Sequence, residues 1–144
     1  MKRFSTSIEI AAPPDLVWPV VQEVERWHEW TPTITRITRQ DTGPLRVGSR
    51  AEVRQPKLPV GSYVVTAVEE GREFTWENRA AGVRGVAHHR VDPAGAGSRV
   101  TLSVEFHGAL AWLVSAFYGS LTQRYIETEA AGLKRRVEGA RISP

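Results

Sequence analysis

The chain reads ALAWLVSAFYGSLTQRYIETEAAGLKRRVEG from Ala109 to Gly139, and this stretch decides the fold. It contains no proline, and its apolar residues recur at the spacing that is typical of a helix. Most of the sequence before it alternates between apolar and polar residues, which predicts strands. The sequence therefore predicts an α+β protein in which a curved antiparallel sheet of seven strands is wrapped around one long C-terminal helix.

The predicted helix carries two apolar stripes that lie on nearly opposite faces. They consist of Leu110, Leu113, Val114, Phe117 and Leu121, followed by Ile126, Ala130, Leu133 and Val137. Because the stripes change near Gly119, we expect the C-terminal half to pack on the sheet and the N-terminal half to bend there. The bent half would cover a cavity with Trp112, Phe117, Tyr118 and Leu121. The alternative is that the whole segment is a core helix with a mild bend. Gly139 is a candidate for the residue that ends the helix.

Composition excludes several functional classes. With 144 residues the chain is expected to form a single domain, residues 1–144, with a core of its own. The absence of cysteine excludes disulfides and thiolate catalysis. The net charge is +3 and basic residues are mixed with acidic ones, so no nucleic-acid partner is predicted. No apolar run resembles a signal peptide or a transmembrane segment, which favours a cytoplasmic location; the oligomeric state stays open.

Alternation and turn residues predict the order of the elements before the long helix. The predicted strands are residues 4–10, 34–39, 48–55, 62–69, 72–79, 83–91 and 99–107. Two short helices follow the first strand, because Pro13 and Pro14 suit a helix start and Trp27 and Trp30 lie in a second helical patch. Short connections between the later strands predict an antiparallel meander, with residues 93–97 as the most obvious loop.

Three sequence motifs resemble those of a known superfamily. Residues 8–18 read IEIAAPPDLVW, a Trp-x-x-Trp-x-Pro segment follows at Trp27, Trp30 and Pro32, and residues 132–138 read GLKRRVE. In this order they resemble the START-like helix-grip superfamily, also called SRPBCC, and within it the polyketide cyclase/dehydrase branch. The resemblance spans nearly the whole chain. These motifs belong to the scaffold, so they carry the fold and not a reaction.

The resemblance implies a deep cavity between the sheet and the long helix that takes hydrophobic or aromatic small molecules. Some members cyclise or dehydrate polyketide chains, whereas others bind lipids, quinones, hormones or a protein partner without chemistry. The leading hypothesis is therefore a protein that binds a lipid, aromatic or polyketide-like ligand, with no cofactor. The alternatives are a polyketide cyclase or dehydratase that uses the same cavity, and a protein-interaction module of chaperone- or ribosome-associated type.

The concave face of the sheet supplies most of the candidate ligand-binding residues, because side chains of one parity share one face. They are Val53, Phe74, Trp76, Asn78, His89, Leu102, Val104 and Phe106, joined from the helix by Phe117, Tyr118 and Leu121. Asn78 is a candidate hydrogen-bond partner for a ligand carbonyl. Its alternative interpretation is a polar residue at a strand end, beside the turn at residues 80–82.

Two residues are weak catalytic candidates. His88 and His89 are adjacent on a predicted strand, so they point to opposite faces and cannot chelate one metal ion. His89 shares parity with the less polar set and is the candidate inward general acid or base. The alternative is a hydrogen-bonded cavity histidine without a catalytic role. Tyr118 borders Gly119 and is the tyrosine most suited to present its hydroxyl to a ligand.

Other chemistries have no motif in the sequence. There is no nucleophile elbow, no phosphate-binding loop and no dinucleotide-binding glycine pattern. No group of residues has the spacing of a metal site, so no metal is predicted. Asp15, Asp41 and Asp92 are all predicted at turns or at a helix start, so no catalytic carboxylate pair is expected.

Overall fold

The computed structural model describes the backbone of residues 2–142 and the side chains of residues 2–139. The strands are β1 (Lys2–Ile10), β2 (Arg36–Arg39), β3 (Arg50–Arg54), β4 (Gly61–Glu69), β5 (Glu73–Ala80), β6 (Val83–Ala94) and β7 (Gly97–His107). The helices are α1 (Pro14–Gln22), a 3-10 helix (Val24–Glu29) and the long α2 (Ala111–Ile142). The predicted element order is confirmed, with a 3-10 helix as the second of the two short helices.

The strands form one curved antiparallel sheet of seven strands in the order β1-β7-β6-β5-β4-β3-β2. From β2 to β7 the chain is a meander, and β1 then pairs with β7 along its whole length. Within β6 the side chains alternate, so His89 and Val91 are buried on the inner face while Arg90 is exposed. The curved sheet thus presents one apolar concave face, against which α2 packs.

The C-terminal half of α2 packs on the sheet as predicted. Its apolar stripe of Ile126, Ala130, Leu133 and Val137 is buried. Two polar contacts fix this half against the end of β1. Lys134 Nζ donates a hydrogen bond to the Glu9 carbonyl oxygen at 2.7 Å, and Glu138 Oε2 accepts one from the Ala11 amide at 2.8 Å. The position of α2 relative to the sheet is therefore set by burial of its apolar stripe and by these two hydrogen bonds.

The N-terminal half of α2 differs from the prediction in where its side chains lie. The helix is continuous from Ala111 to Ile142, and Gly119 lies against the ring of Phe4, where a Cβ atom would come within 2.9 Å. Gly119 therefore serves close packing on β1. Trp112 and Phe117 point outward and are 63% and 76% exposed, so they do not cover a cavity.

Two predicted boundaries are also corrected. Gly139 lies inside α2 and does not stop it. Residues 93–97 are not a loop, since β6 continues to Ala94 and β7 starts at Gly97. Gly95, at a positive φ of 58°, supplies the backbone conformation that such a tight connection requires. In the described part of the chain, no helix combines the length and apolar character needed to cross a membrane.

Candidate functional site

A cavity of about 300 Å³ lies between the concave face of the sheet and α2. The helix contributes Val114, Tyr118, Thr122, Tyr125, Ile126 and Glu129. These residues recur at intervals of three and four, so they form one face of α2. The sheet contributes side chains from β3 to β7, and the 3-10 helix contributes Trp27. The lining is mainly apolar, with a few polar groups.

The cavity extends along the helix axis and has two ends. From Val114 to Glu129 the helix rises by about 22 Å at 1.5 Å per residue. The outer end is formed by Val83, Val114 and Tyr118, where the Leu110 amide bonds to the carbonyl oxygen of Gly82 at 2.8 Å. Tyr118 is 39% exposed, so the outer end reaches the protein surface. The inner end, formed by Trp27, Ile34 and Glu129, is buried.

The structure brings most of the predicted ligand-binding residues to this cavity. Its lining includes Val53, Trp76, Asn78, His89, Leu102, Val104, Phe106 and Tyr118. Phe74 instead lies in the core, where Trp18 and His89 pack against its ring. Phe117 and Leu121 are not part of the lining, and Phe117 is largely exposed to solvent. Ligand binding by the lining residues stays a prediction.

Asn78 is positioned over two glycines of neighbouring strands. Its Oδ1 atom lies 2.5 Å from the place where a Cβ atom of Gly85 would be, and its Nδ2 atom 3.6 Å from that of Gly61. The amide therefore fits beside β6 only because Gly85 lacks a side chain, whereas a side chain at Gly61 would meet it at an ordinary contact distance. This places one polar group on the cavity floor, between β4 and β6.

His89 is buried in an aromatic cluster on the inner face of the sheet. It is 6% exposed, and its ring stacks on Phe74 with centroids 4.2 Å apart and planes inclined by 15°. Trp27 and Trp76 contact it from other sides, at 5.3 and 5.8 Å. Nδ1 lies 3.2 Å from the Phe74 carbonyl oxygen, which can only accept, so Nδ1 carries the proton. Burial lowers the pKa of His89 to about 3, and the imidazole is neutral near pH 7.

His88 occupies the opposite face, as its parity predicts. Its Nδ1 atom lies 3.0 Å from Thr75 Oγ1, and its Nε2 atom 3.4 Å from Glu105 Oε2. The other oxygen of Glu105 accepts a hydrogen bond from His107 at 2.9 Å, and this bond is the main cause that lowers the pKa of Glu105. These four side chains, those of Thr75, His88, Glu105 and His107, form part of a polar network on the outer face of the sheet.

The inner end of the cavity contains a buried carboxyl group, that of Glu129. Glu129 is only 9% exposed, and its Oε1 atom accepts a hydrogen bond from the Thr33 hydroxyl at 2.9 Å. Thr31 Oγ1 lies 2.9 Å from Thr33 Oγ1 and also accepts a bond from the Thr33 amide. Burial raises the pKa of Glu129 to about 7, although the bond from Thr33 opposes this rise. Near neutral pH this carboxyl group can both give and take a proton.

Two tyrosines adjoin this carboxyl group. Tyr63 packs on Trp76 with ring centroids 5.1 Å apart, and burial together with the negative charge of Glu129 raises the pKa of Tyr63 to about 12. Its phenol therefore stays protonated. The hydroxyl of Tyr125 donates to the carbonyl oxygen of Pro56, which ties α2 to the loop between β3 and β4. Tyr118, the tyrosine favoured from the sequence, lies at the outer end.

Glu129 is the functional candidate that the sequence reasoning missed. That reasoning considered only aspartates as carboxyl candidates. The available signal was helical spacing, since Glu129 lies three residues after Ile126 and four before Leu133, both in the buried stripe. A charged residue at a core position of an amphipathic helix indicates a functional role or a buried partner. Within the described residues, no three histidine or acidic side chains are grouped as metal ligands.

The sequence and the fold both match known proteins. The profile of the family described as polyketide cyclase / dehydrase and lipid transport matches residues 1–138. No curated protein matches the sequence. Among solved structures, protein TTHA0849 of Thermus thermophilus superposes with a TM-score of 0.78 at 16% identity, covering 96% of this chain and 99% of that one.

Two further solved structures have a similar fold. A START superfamily protein of Mycobacterium smegmatis has a TM-score of 0.74 at 16% identity and covers 96% of this chain and 98% of its own. The ZhuI aromatase/cyclase of Streptomyces sp. R1128 has a TM-score of 0.78 at 13% identity, with 95% and 93% covered. At such low identities the likeness establishes the helix-grip fold alone. The resemblance drawn from the sequence motifs is confirmed.

Proposed function

The chain belongs to the family of polyketide cyclases, dehydrases and lipid transport proteins, and on that premise we propose that it binds a hydrophobic small molecule between its sheet and α2. The observation that carries the proposal is the cavity of about 300 Å³, which is within the usual size of ligand sites. Its walls include Val53, Leu102 and Val104. The ligand class is lipid, aromatic or polyketide-like.

Affinity would come mainly from apolar burial. Removing apolar surface from water contributes about 25 cal/mol per Å², from which the cost of association is subtracted. Trp76 and Phe106 offer flat aromatic walls, and Asn78 and Glu129 offer polar groups that orient a ligand. This combination of apolar walls with few polar groups is typical of sites for small organic molecules.

Binding of the neutral fluorescent probe N-phenyl-1-naphthylamine tests the proposal. Native mass spectrometry of gently purified protein would first identify any co-purified ligand. After its removal, the wild-type protein should bind the probe saturably. Val104→Trp places an indole in the cavity and should weaken binding at least about tenfold. The matched control is Thr101→Trp, on the outer face of the same strand, which should bind like wild type.

Circular dichroism and thermal unfolding of both variants would separate loss of binding from loss of fold. Absence of saturable binding by the wild-type protein would refute the proposal. So would a Val104→Trp variant that is folded and binds the probe as tightly as Thr101→Trp does.

A second candidate function, a cyclase or dehydratase, is favoured by one observation, the buried carboxyl group of Glu129. Its raised pKa of about 7 suits a group that transfers protons near neutral pH. His89 is less suited to donate a proton there, because burial keeps it neutral. In such an enzyme the cavity would fold a poly-β-keto chain into a reactive conformation, and positioning would supply much of the rate.

The enzyme hypothesis is tested with a poly-β-keto thioester as substrate. Glu129→Gln should lower turnover by about a hundredfold or more, and the exposed Glu127→Gln should not. Turnover by Glu129→Gln equal to wild type would remove Glu129 from the mechanism. The third hypothesis, a protein-interaction module, would be favoured by a cavity filled with the protein's own side chains. The open cavity gives it no support.

A further inference from the structure

Glu129 is buried without a cation. Among residues 2–139, no lysine, arginine or histidine forms an ion pair with it, and its protein hydrogen bond comes from Thr33. A buried carboxyl group that lacks its partners costs several kcal/mol when it is ionised. Burial of such a group in a cavity wall indicates that a bound molecule completes its hydrogen bonding.

The hydrogen bonds around Glu129 run in one direction. The Thr33 amide can only donate, so Thr31 Oγ1 accepts from it at 3.3 Å. The Thr31 hydroxyl then donates to Thr33 Oγ1, and the Thr33 hydroxyl donates to Glu129 Oε1. Oε1 is thus the acceptor in the bond from Thr33. While this bond is kept, a proton taken up by the carboxyl group resides on Oε2.

The second oxygen of Glu129, Oε2, is available to a molecule in the cavity. No described protein group donates a hydrogen bond to it, and it is not sealed in the core. Glu129 shares its helix face with the apolar Ile126, which also lines the cavity. Trp27 and Ile34 form apolar walls around it, and the nearby hydroxyl of Tyr63 forms no hydrogen bond to the carboxyl group in the described part of the chain.

We propose that the ligand is an apolar molecule bearing a hydroxyl group, alcoholic or phenolic, which donates its hydrogen bond to Oε2 of Glu129. This inference rests on the proposed binding function and names the ligand class. A neutral hydroxyl fits better than an ammonium group, because a single carboxylate offsets little of the cost of desolvating a cation among apolar walls. A bond to an ionised carboxylate is stronger than one between neutral groups.

Three naphthalene probes test the hydroxyl assignment by calorimetric titration. Near pH 8, wild-type protein should bind 2-naphthol at least about tenfold more tightly than 2-methoxynaphthalene or naphthalene. In Glu129→Gln the amide oxygen still accepts from Thr33, so the amide N–H group points into the cavity. That variant should lose the preference for 2-naphthol. Glu127→Gln, on the exposed side of the same helix, should keep it.

A pH series with wild-type protein alone gives the same test without a substitution. Lowering the pH from about 8 to about 5.5 protonates Oε2, which then donates, so the preference for 2-naphthol should shrink. Equal affinity for the three probes would overturn the hydroxyl assignment and leave the binding function intact. Tighter binding of 2-naphthylmethylammonium, or a preference that persists in Glu129→Gln, would also overturn it. Absence of binding by all probes would overturn the binding function itself.

Discussion

Two buried titratable side chains, His89 and Glu129, have opposite effects on the pH dependence of stability. Burial disfavours the charged form of each, which lowers the pKa of the imidazole and raises that of the carboxyl group. His89 has its protein partner in the Phe74 carbonyl, whereas one oxygen of Glu129 accepts no hydrogen bond from a described protein group. The hydrogen bonding of the first residue is therefore completed within the core, and that of the second is open to the cavity.

Glu129→Gln should change how stability depends on pH. The folded pKa of about 7 exceeds the ordinary value of 4.5, so between these values the folded state holds a proton that the unfolded state has released. The unfolding free energy of wild type therefore falls as pH rises through this window, by at most about 3 kcal/mol. Urea unfolding of the variant, compared with wild type, should show its relative stability rising from about pH 4 to about pH 8. A constant difference would contradict this.

His89→Gln should reduce the sensitivity to acid. The folded pKa of about 3 lies below the ordinary 6.5, so as pH falls from 6.5 the unfolded state takes up a proton first and the unfolding free energy drops. This loss amounts to at most about 1.4 kcal/mol per pH unit, and glutamine abolishes it. Urea unfolding at several pH values measures the slope. The exposed His28→Gln is the control and should keep the wild-type slope.

At the residue scale, the sequence predicted the inner face of the sheet better than the site. Strand parity placed Val53, Trp76 and His89 on the concave face, since alternation has a period of two. It did not predict that Trp18 and Trp27 would cover Phe74, because such contacts join distant parts of the chain. The hydrogen bond between Thr33 and Glu129 is equally nonlocal.

At the scale of the elements, the packing of α2 depends on one close contact, between Gly132 and the backbone of Trp30. Gly132 faces the backbone of Trp30, and a Cβ atom there would overlap the Trp30 carbonyl oxygen. The helix can reach the segment after the 3-10 helix only without a side chain at this position. The GLKRRVE motif thus begins with a glycine for a packing reason.

Gly132→Ala and Gly139→Ala should change stability in opposite directions. The first forces α2 away from Trp30 and should lower the unfolding free energy by about 1–3 kcal/mol or more. The second meets no atom within 4 Å and should raise it by up to about 1 kcal/mol, because alanine favours the helix. Urea unfolding with equal m-values measures both. Similar effects of the two substitutions would refute the packing role of Gly132.

The order and type of the elements could be predicted, because apolar residues recur at the spacing of a helix or of a strand in each of them. The residues at which the elements begin and end could be predicted less well. Residues 93–97 contain proline and glycine and were expected to form a loop, yet pairing with β7 extends β6 to Ala94. At Gly119, where a bend was expected, α2 runs on without interruption and the ring of Phe4 fills the space beside the glycine. Contacts with distant parts of the chain decide both features.

At the scale of the whole molecule, the sheet and α2 form a half-open shell. Hydrogen bonds link α2 to β1 at one side through Lys134, and to the loop after β3 at the other through Tyr125. The helix is therefore held at the β1 edge of the sheet and at the loop between β3 and β4, and the cavity lies between these two attachments. A cavity is therefore a property of the architecture, whereas its chemistry depends on single residues such as Glu129.

The pairing of β1 with β7 has a consequence for biosynthesis. Lys2 pairs with Phe106 and Ile10 with Ser98, so the first strand to be synthesised has no partner until the last strand has been made. Early in translation β1 is therefore unpaired, and its apolar side chains Phe4 and Ile8 stay exposed until β7 has been synthesised. Closing so long a loop is slow. We expect the nascent chain to depend on chaperones during this interval, and the docking of β1 to be a late event in folding.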